Sequence, residues 1–170
     1  MQPASQKRGK HWRQRSTYER AAVQQAILDL RLGPEEFRMI GIRDWQWIEE
    51  RVQTEFYTRP YALRQRFPFT CIQADASVSL ELVQEQLGAL AAPDTVVYAA
   101  IGDEAHKLWW CKGAFQAAIA VFWEAGPAID LLVVPESFEW FLTISHHDDV
   151  YTVGEPVSSR LVSMGAIRPR

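Results

Sequence analysis

Between positions 129 and 154, apolar and polar residues alternate in three consecutive runs, a pattern that predicts neighbouring strands at the centre of a β-sheet. The strands are expected over 129–134, 139–146 and 150–153, divided by Pro135-Glu136-Ser137 and by Asp148-Asp149. In the middle run Trp140, Leu142, Ile144 and His146 share one face, with Glu139, Phe141, Thr143, Ser145 and His147 on the other. A four-residue loop from Pro135 to Phe138 would set Val133 opposite Trp140, Leu131 opposite Leu142, Ile129 opposite Ile144 and Asp130 opposite Thr143. An even-length second loop would bring Tyr151 and Val153 onto the apolar face, giving a sheet with one greasy side.

Upstream, the period changes from two to about 3.6. Ser16 and Glu19 have capping-box spacing ahead of Val23, Ile27 and Leu30, so a helix is predicted over 17–32, stopped by Gly33-Pro34. A short helical turn follows from Pro34. Asp44 then caps a longer helix with Trp45, Ile48, Val52 and Phe56 along one stripe and Trp47 off it. Positions 61–76 read as an extended connection with one edge strand, and Ser79 precedes an amphipathic helix carrying Leu80, Val83, Leu87 and Leu90. Strands over 95–101 and 106–111 form a hairpin about Gly102-Asp103-Glu104. The next helix, over 113–125, is apolar nearly all round and is expected to be buried on several sides. It would act as a crossover on the sheet's apolar face, with its flanking strands parallel if they are neighbours. Ser158 caps a short terminal helix over 160–164. The expected fold class is α+β: helices in the N-terminal half, a mainly antiparallel sheet of about five strands and one buried crossover helix.

Composition fits one domain, since 170 residues at 48% apolar content can bury a sizeable core. Seven tryptophans exceed what such a core ordinarily uses, so each is expected to be either buried or put to use. The net charge of -3 conceals a division: residues 1–20 hold six Lys/Arg and one acidic residue, leaving 12 Lys/Arg against 20 Asp/Glu in the remainder. A disordered basic arm over 1–15 therefore precedes an acidic body over 16–170, a balance that disfavours polyanion binding outside the arm. Cys71 and Cys111 form no CxxC pair and are expected to be reduced thiols. The first ten residues have no apolar core of a signal peptide, and the most apolar window, 113–135, is interrupted by Gln116, Glu124, Gly126, Pro127 and Asp130. A soluble cytoplasmic protein with no membrane segment is the expectation.

Candidate chemistry gathers at His146-His147-Asp148-Asp149, because imidazoles and carboxylates ligate zinc, iron and manganese and also serve as general acids and bases. Strand alternation turns His146 and His147 to opposite faces unless the turn starts at or before His146, so no metal or other cofactor is expected. The other histidines, His106 and His11, are distant in sequence, and His106 and Cys111 fall on opposite faces of one predicted strand. The chain lacks GxSxG, a Walker loop and GxGxxG, which lowers the weight of a hydrolase, NTPase or dinucleotide enzyme. Trp109-Trp110 sends one indole to each sheet face; an exposed one would mark a contact surface. Lys7, Arg8, Lys10, Arg13 and Arg15, with Trp12 and Tyr18, could grip nucleic acid by charge and stacking, but no nucleic-acid motif follows them.

The strand at Leu131 to Val134, the Glu139-Trp140 pair, the His146-His147-Asp148 turn and the closing Val153-Gly154 together resemble a family of short uncharacterised bacterial proteins. The Leu108-Trp109 strand and the helix over 113–125 fit the same outline, so the resemblance covers positions 95–157. It implies a bacterial cytosolic α+β domain of unknown activity and supplies no catalytic residue. Similar small α+β proteins, the SUKH immunity superfamily among them, often bind and block a toxin. The resulting expectation is a non-enzymatic protein-binding module with an immunity or adaptor role and a partner that is another protein, of basic character. One alternative is a small metal-dependent or acid-base enzyme at His146 to Asp149. The other is a nucleic-acid binder working through the arm.

Overall fold

Alternating and helical stretches fold as expected in kind, but the sheet is larger than the sequence suggests and is covered on both faces. The computed structural model describes residues 20–58, 72–103, 107–126 and 130–168. Among them, α1 (20–29) precedes β1 (Phe37–Met39), α2 (Ile42–Phe56), β2 (Ala76–Ser79) and α3 (Leu80–Val83), which runs into a 3-10 turn at Gln84–Ala89. Then come β3 (Val96–Asp103), β4 (Lys107–Ala114), α4 (Phe115–Ala125), β5 (Asp130–Pro135), β6 (Phe141–Ile144), β7 (Asp149–Val153) and α5 (Val157–Ser163). The strands form one seven-stranded sheet in the order β1-β4-β3-β5-β6-β7-β2, with every neighbouring pair antiparallel. The fold is α+β.

The two strands beyond the expected five lie at the edges, where short strands with little alternation are hard to read. β1 occupies the place of the expected turn after Pro34 and is held by Phe37, which is buried against β4. β2 takes in Ser79 as its last residue, and Ile167 pairs back onto Ser77 and covers that edge. The helix expected after Ser79 breaks into α3 and the 3-10 turn, which still bury Leu80, Val83 and Leu87. Asp44 stands in the first turn of α2 rather than capping it, since Gly41 holds the N-cap. β4 runs on to Ala114, so Gly113 belongs to a strand and α4 begins two residues later than expected.

The β5–β6 register differs from the expected one by two residues. Leu131 faces Ile144, Leu132 faces Thr143 and Val133 faces Leu142. An even shift leaves every side chain on its expected face, so Leu131, Val133, Leu142 and Ile144 do share one core with Trp140. The β6–β7 turn has the opposite effect. Ser145 donates its amide to the Asp149 carbonyl (2.9 Å), Asp148 donates to the Ser145 carbonyl (2.9 Å), and Asp148 is left-handed at φ 60°. That is a three-residue loop, odd in length. Val150 therefore joins Ile144 in the first core, whereas Val153 packs with the second; the expected placement of Tyr151 and Val153 on the Trp140 side is wrong.

The first core lies between the sheet and α1, α4 and α5, while the second buries Ile48, Val52 and Phe56 of α2 against Ala100, Trp110, Leu132, Val134 and Phe141. The sheet thus has two apolar faces, not one, which is why β5 and β6 are buried at every position. α4 packs on the first face with six buried residues, leaving Gln116, Trp123 and Glu124 outward. Its flanking strands β4 and β5 are not neighbours, because β3 lies between them and pairs antiparallel with both. No described helix is long and apolar enough to cross a membrane.

Candidate functional site

At one end of the sheet the β6–β7 turn gathers the histidines and carboxylates around a residue that the sequence pattern does not single out. Asp130 is fully buried at the start of β5. The register that moves Leu132 opposite Thr143 carries Asp130 up beside the turn, where its Oδ1 accepts the His146 amide at 2.7 Å and lies 3.0 Å from His146 Nδ1. A carboxylate oxygen at this distance is a natural acceptor for an Nδ1–H, the tautomer that would leave the Nε2 lone pair open. The signal available in the sequence was a lone acid in the apolar run before Pro135. Its partner could not be found without the register.

The strand ends at Ile144, so alternation no longer separates the paired histidines: their ring centroids are 4.0 Å apart at 48°. Ser145 Oγ accepts the amides of His147 (3.3 Å) and Asp149 (3.4 Å), fixing the loop from inside. Tyr151 Oη donates to Asp149 Oδ2 at 3.3 Å. Burial, and then the adjacent Asp149 carboxylate, raise the Tyr151 phenol above its ordinary range. His146 to Asp148 are exposed. Among the described residues no three His, Cys, Asp or Glu side chains converge as a metal would require.

Trp109 and Trp110 take opposite faces as expected. Trp110 is buried beneath α2 and donates Nε1 to Glu49 Oε1 at 3.1 Å, so it cannot belong to a contact surface. Trp109 is half-buried with the Arg20 guanidinium 5.3 Å from its ring centroid. Three strand spacings, about 15 Å, separate β4 from β6, so the structure does not bring the tryptophan pair and the histidine turn into one site. Cys111 is buried on the first core face, where burial pushes its thiol far above the ordinary range and leaves it unreactive. Lys7, Arg8, Lys10, Arg13, Arg15, Cys71, His11 and His106 lie outside the described residues.

The opposite end of the sheet carries a surface that the sequence marked only by Trp47 falling off the α2 stripe. Trp47 is 47% exposed, yet it is held in place: its ring meets Tyr98 edge-on at 5.6 Å and Phe138 at 5.9 Å. The Arg51 guanidinium covers the Phe138 ring at 4.2 Å. Lys112 pairs with Glu136 and lies 5.5 Å from the Tyr98 ring centroid, and Tyr98 Oη donates to Glu136 Oε1 at 3.4 Å. A groove of about 300 Å³ opens beside Trp47 over Ile40, Asp44 and Lys112. A second, of about 670 Å³, shares Arg38 and Lys112 with it and continues toward α4.

Burial raises the Tyr98 phenol, with Lys112 opposing and Glu136 adding to the rise. The Glu136 hydrogen bond likewise raises Lys112, keeping its ammonium charged. A phenol whose folded pKa exceeds its unfolded value of about 10 stabilises the fold below that pH, and loses its contribution as pH rises through the raised value. Phenolate absorbance should therefore show a group of tyrosines ionising late in the native protein. Tyr98→Phe and Tyr151→Phe should each remove one from the late group. Ionisation of both at the denatured-protein pH would contradict the packing described.

These features define a class: an α+β domain built on a single seven-stranded antiparallel sheet, with a polar histidine turn at one end and an aromatic patch with flanking grooves at the other. The chain belongs to DUF6756, a family of unknown function, whose model matches residues 15–165. No curated protein and no solved structure matches it.

Proposed function

We propose that the protein is a non-enzymatic binding module for another protein, acting in the bacterial cytosol as an immunity-type or adaptor protein. The observation that carries this reading is Trp47, a large exposed indole fixed by Tyr98 and Phe138 and flanked by Arg51 and by the Lys112–Glu136 pair. Binding energy concentrates in such residues because a pre-positioned ring surrenders little conformational freedom while burying much area. Other small α+β proteins that bind and block a toxin supply a fold-level analogy for this role. The test pairs wild type with Trp47→Ala against proteins encoded beside its gene, each purified and titrated. Trp47→Ala should leave the thermal midpoint nearly unchanged and weaken the complex at least about tenfold. A complex of undiminished affinity would refute a Trp47-centred surface.

One observation favours a second function, acid-base chemistry at His146. Buried Asp130 orients the imidazole through Nδ1, the arrangement that prepares Nε2 to take up or deliver a proton or to ligate a metal. We rank it lower because the two grooves beside Trp47 and α4 lie at the other end of the sheet and are lined by other residues than His146, His147 and Asp130. Elemental analysis of untagged protein decides the metal-dependent form. One equivalent of metal, lost in folded His147→Ala and Asp149→Ala variants, would put it first.

A further inference from the structure

The groove of about 670 Å³ between β1, the start of α4 and the end of β5 is large enough for a short peptide segment and too small for a domain surface. Its lining is largely apolar: exposed Val96, Leu32, Ala114 at the end of β4, and Ala117 and Ala120 on the first turns of α4. Four carboxylates, Glu35, Glu36, Asp94 and Glu136, stand among these residues against two cations, Arg38 and Lys112.

Several of these charges are already engaged. Lys112 pairs with Glu136, Glu36 Oε2 accepts the Gly33 amide at 2.9 Å, and Arg38 donates to the Pro34 carbonyl at 3.3 Å. Glu35 and Asp94 are exposed on the groove's wall, so the rim keeps a net negative charge of two by residue count. The acidic body, 12 Lys/Arg against 20 Asp/Glu beyond residue 20, extends that potential to longer range.

We infer that this groove is the docking site for a basic segment of the protein partner, one in which arginine or lysine alternates with small apolar residues. This rests on the protein-binding function proposed above and names the chemistry of its partner. Long cationic side chains suit the site in both halves. Their methylene stems lie on the Ala and Val side chains while the charged heads reach Glu35 and Asp94, and the alanines let the peptide backbone approach closely. Because the groove shares Arg38 and Lys112 with the Trp47 groove, one partner can fill both.

The experiment titrates three synthetic decapeptides, alternating Arg-Ala, Ser-Ala and Glu-Ala, into isotopically labelled full-length protein, with amide and indole resonances followed at low and at raised salt. The Arg-Ala peptide should shift the Val96, Ala114, Ala117 and Ala120 amides, bind at least tenfold more tightly than the other two, and weaken with salt. The Glu35→Lys/Asp94→Lys double variant, with both positions exposed and folding checked by its melt, should lose that binding at least tenfold. Equal binding by wild type and double variant would mean attraction to the acidic body at large and would overturn the groove. So would the absence of shifts at these four amides. Shifts confined to the Trp47 indole would overturn the groove while leaving the Trp47-centred function standing. Failure of the Trp47→Ala test with the groove shifts intact would separate the two the other way.

Discussion

Replacing Trp140 by alanine is expected to lower the stability of the domain by about 3 to 5 kcal/mol. Trp140 stands just before β6, is 4% exposed, and meets the Phe115 ring edge-on at 5.9 Å at the start of α4. Its indole therefore fills space between the sheet and the helix that crosses it, together with Leu142 and Ile144. Truncation removes the transfer energy of a large ring and leaves a cavity whose walls are a strand and a helix, neither of which can collapse inward. A domain of this size has about 5 to 15 kcal/mol in total, so the variant should denature at much lower urea with an unchanged slope. A loss below about 1 kcal/mol would place Trp140 at the surface and contradict the face assignment.

Gly113→Ala should cost about 3 kcal/mol, although it adds a single methyl group. Gly113 sits opposite Phe37 of β1 and Val97 of β3. A Cβ there would lie 2.7 Å from Phe37 Cα and 2.7 Å from Phe37 Cδ2, and would collide with the Glu36 carbonyl oxygen. Backbone atoms cannot rotate away, so β1 must separate from β4, and Phe37 loses its buried place. Hydrogen exchange gives the clearest readout, because Ala114 donates to Glu36 (3.0 Å) and Ile40 donates to Trp110 (2.8 Å) across this pairing. Both amides should exchange faster in the variant, while the Leu131 to Leu142 region stays protected. Unchanged exchange at Ala114 and Ile40, with stability within about 0.5 kcal/mol of wild type, would refute the close packing.

Period and punctuation made most elements legible. The α2 stripe of Ile48, Val52 and Phe56 is buried as its spacing requires, and β3 and β4 pair as the expected hairpin, although Gly102 and Asp103, expected in its turn, are the last residues of β3 and pair with Leu108 and Lys107. The edges were less legible. β1 is three residues long, too short to display alternation, and exists because β4 offers a partner and Phe37 an anchor. The second apolar face was hidden for a related reason. In β3 and β5 every position is apolar or small over most of the length, and such a run does not say whether one face is covered or two.

For the candidate sites, the sequence by itself determined that His146, His147, Asp148 and Asp149 stand together in a polar turn and that Trp47 falls off the α2 stripe. Side-chain types and local periodicity are encoded within a few neighbouring residues, so they can be read directly. Only the tertiary structure decided that Asp130 orients His146 and that the two imidazoles lie together. It also decided that Trp110 is buried, and that Trp47 is held by Tyr98 and Phe138 beside two grooves. Each of those facts depends on a register between strands or on a helix placed over a sheet. A shift of two residues in β5 against β6, invisible to the hydrophobic pattern because it preserves every face, is what carries a buried carboxylate to a histidine sixteen residues away.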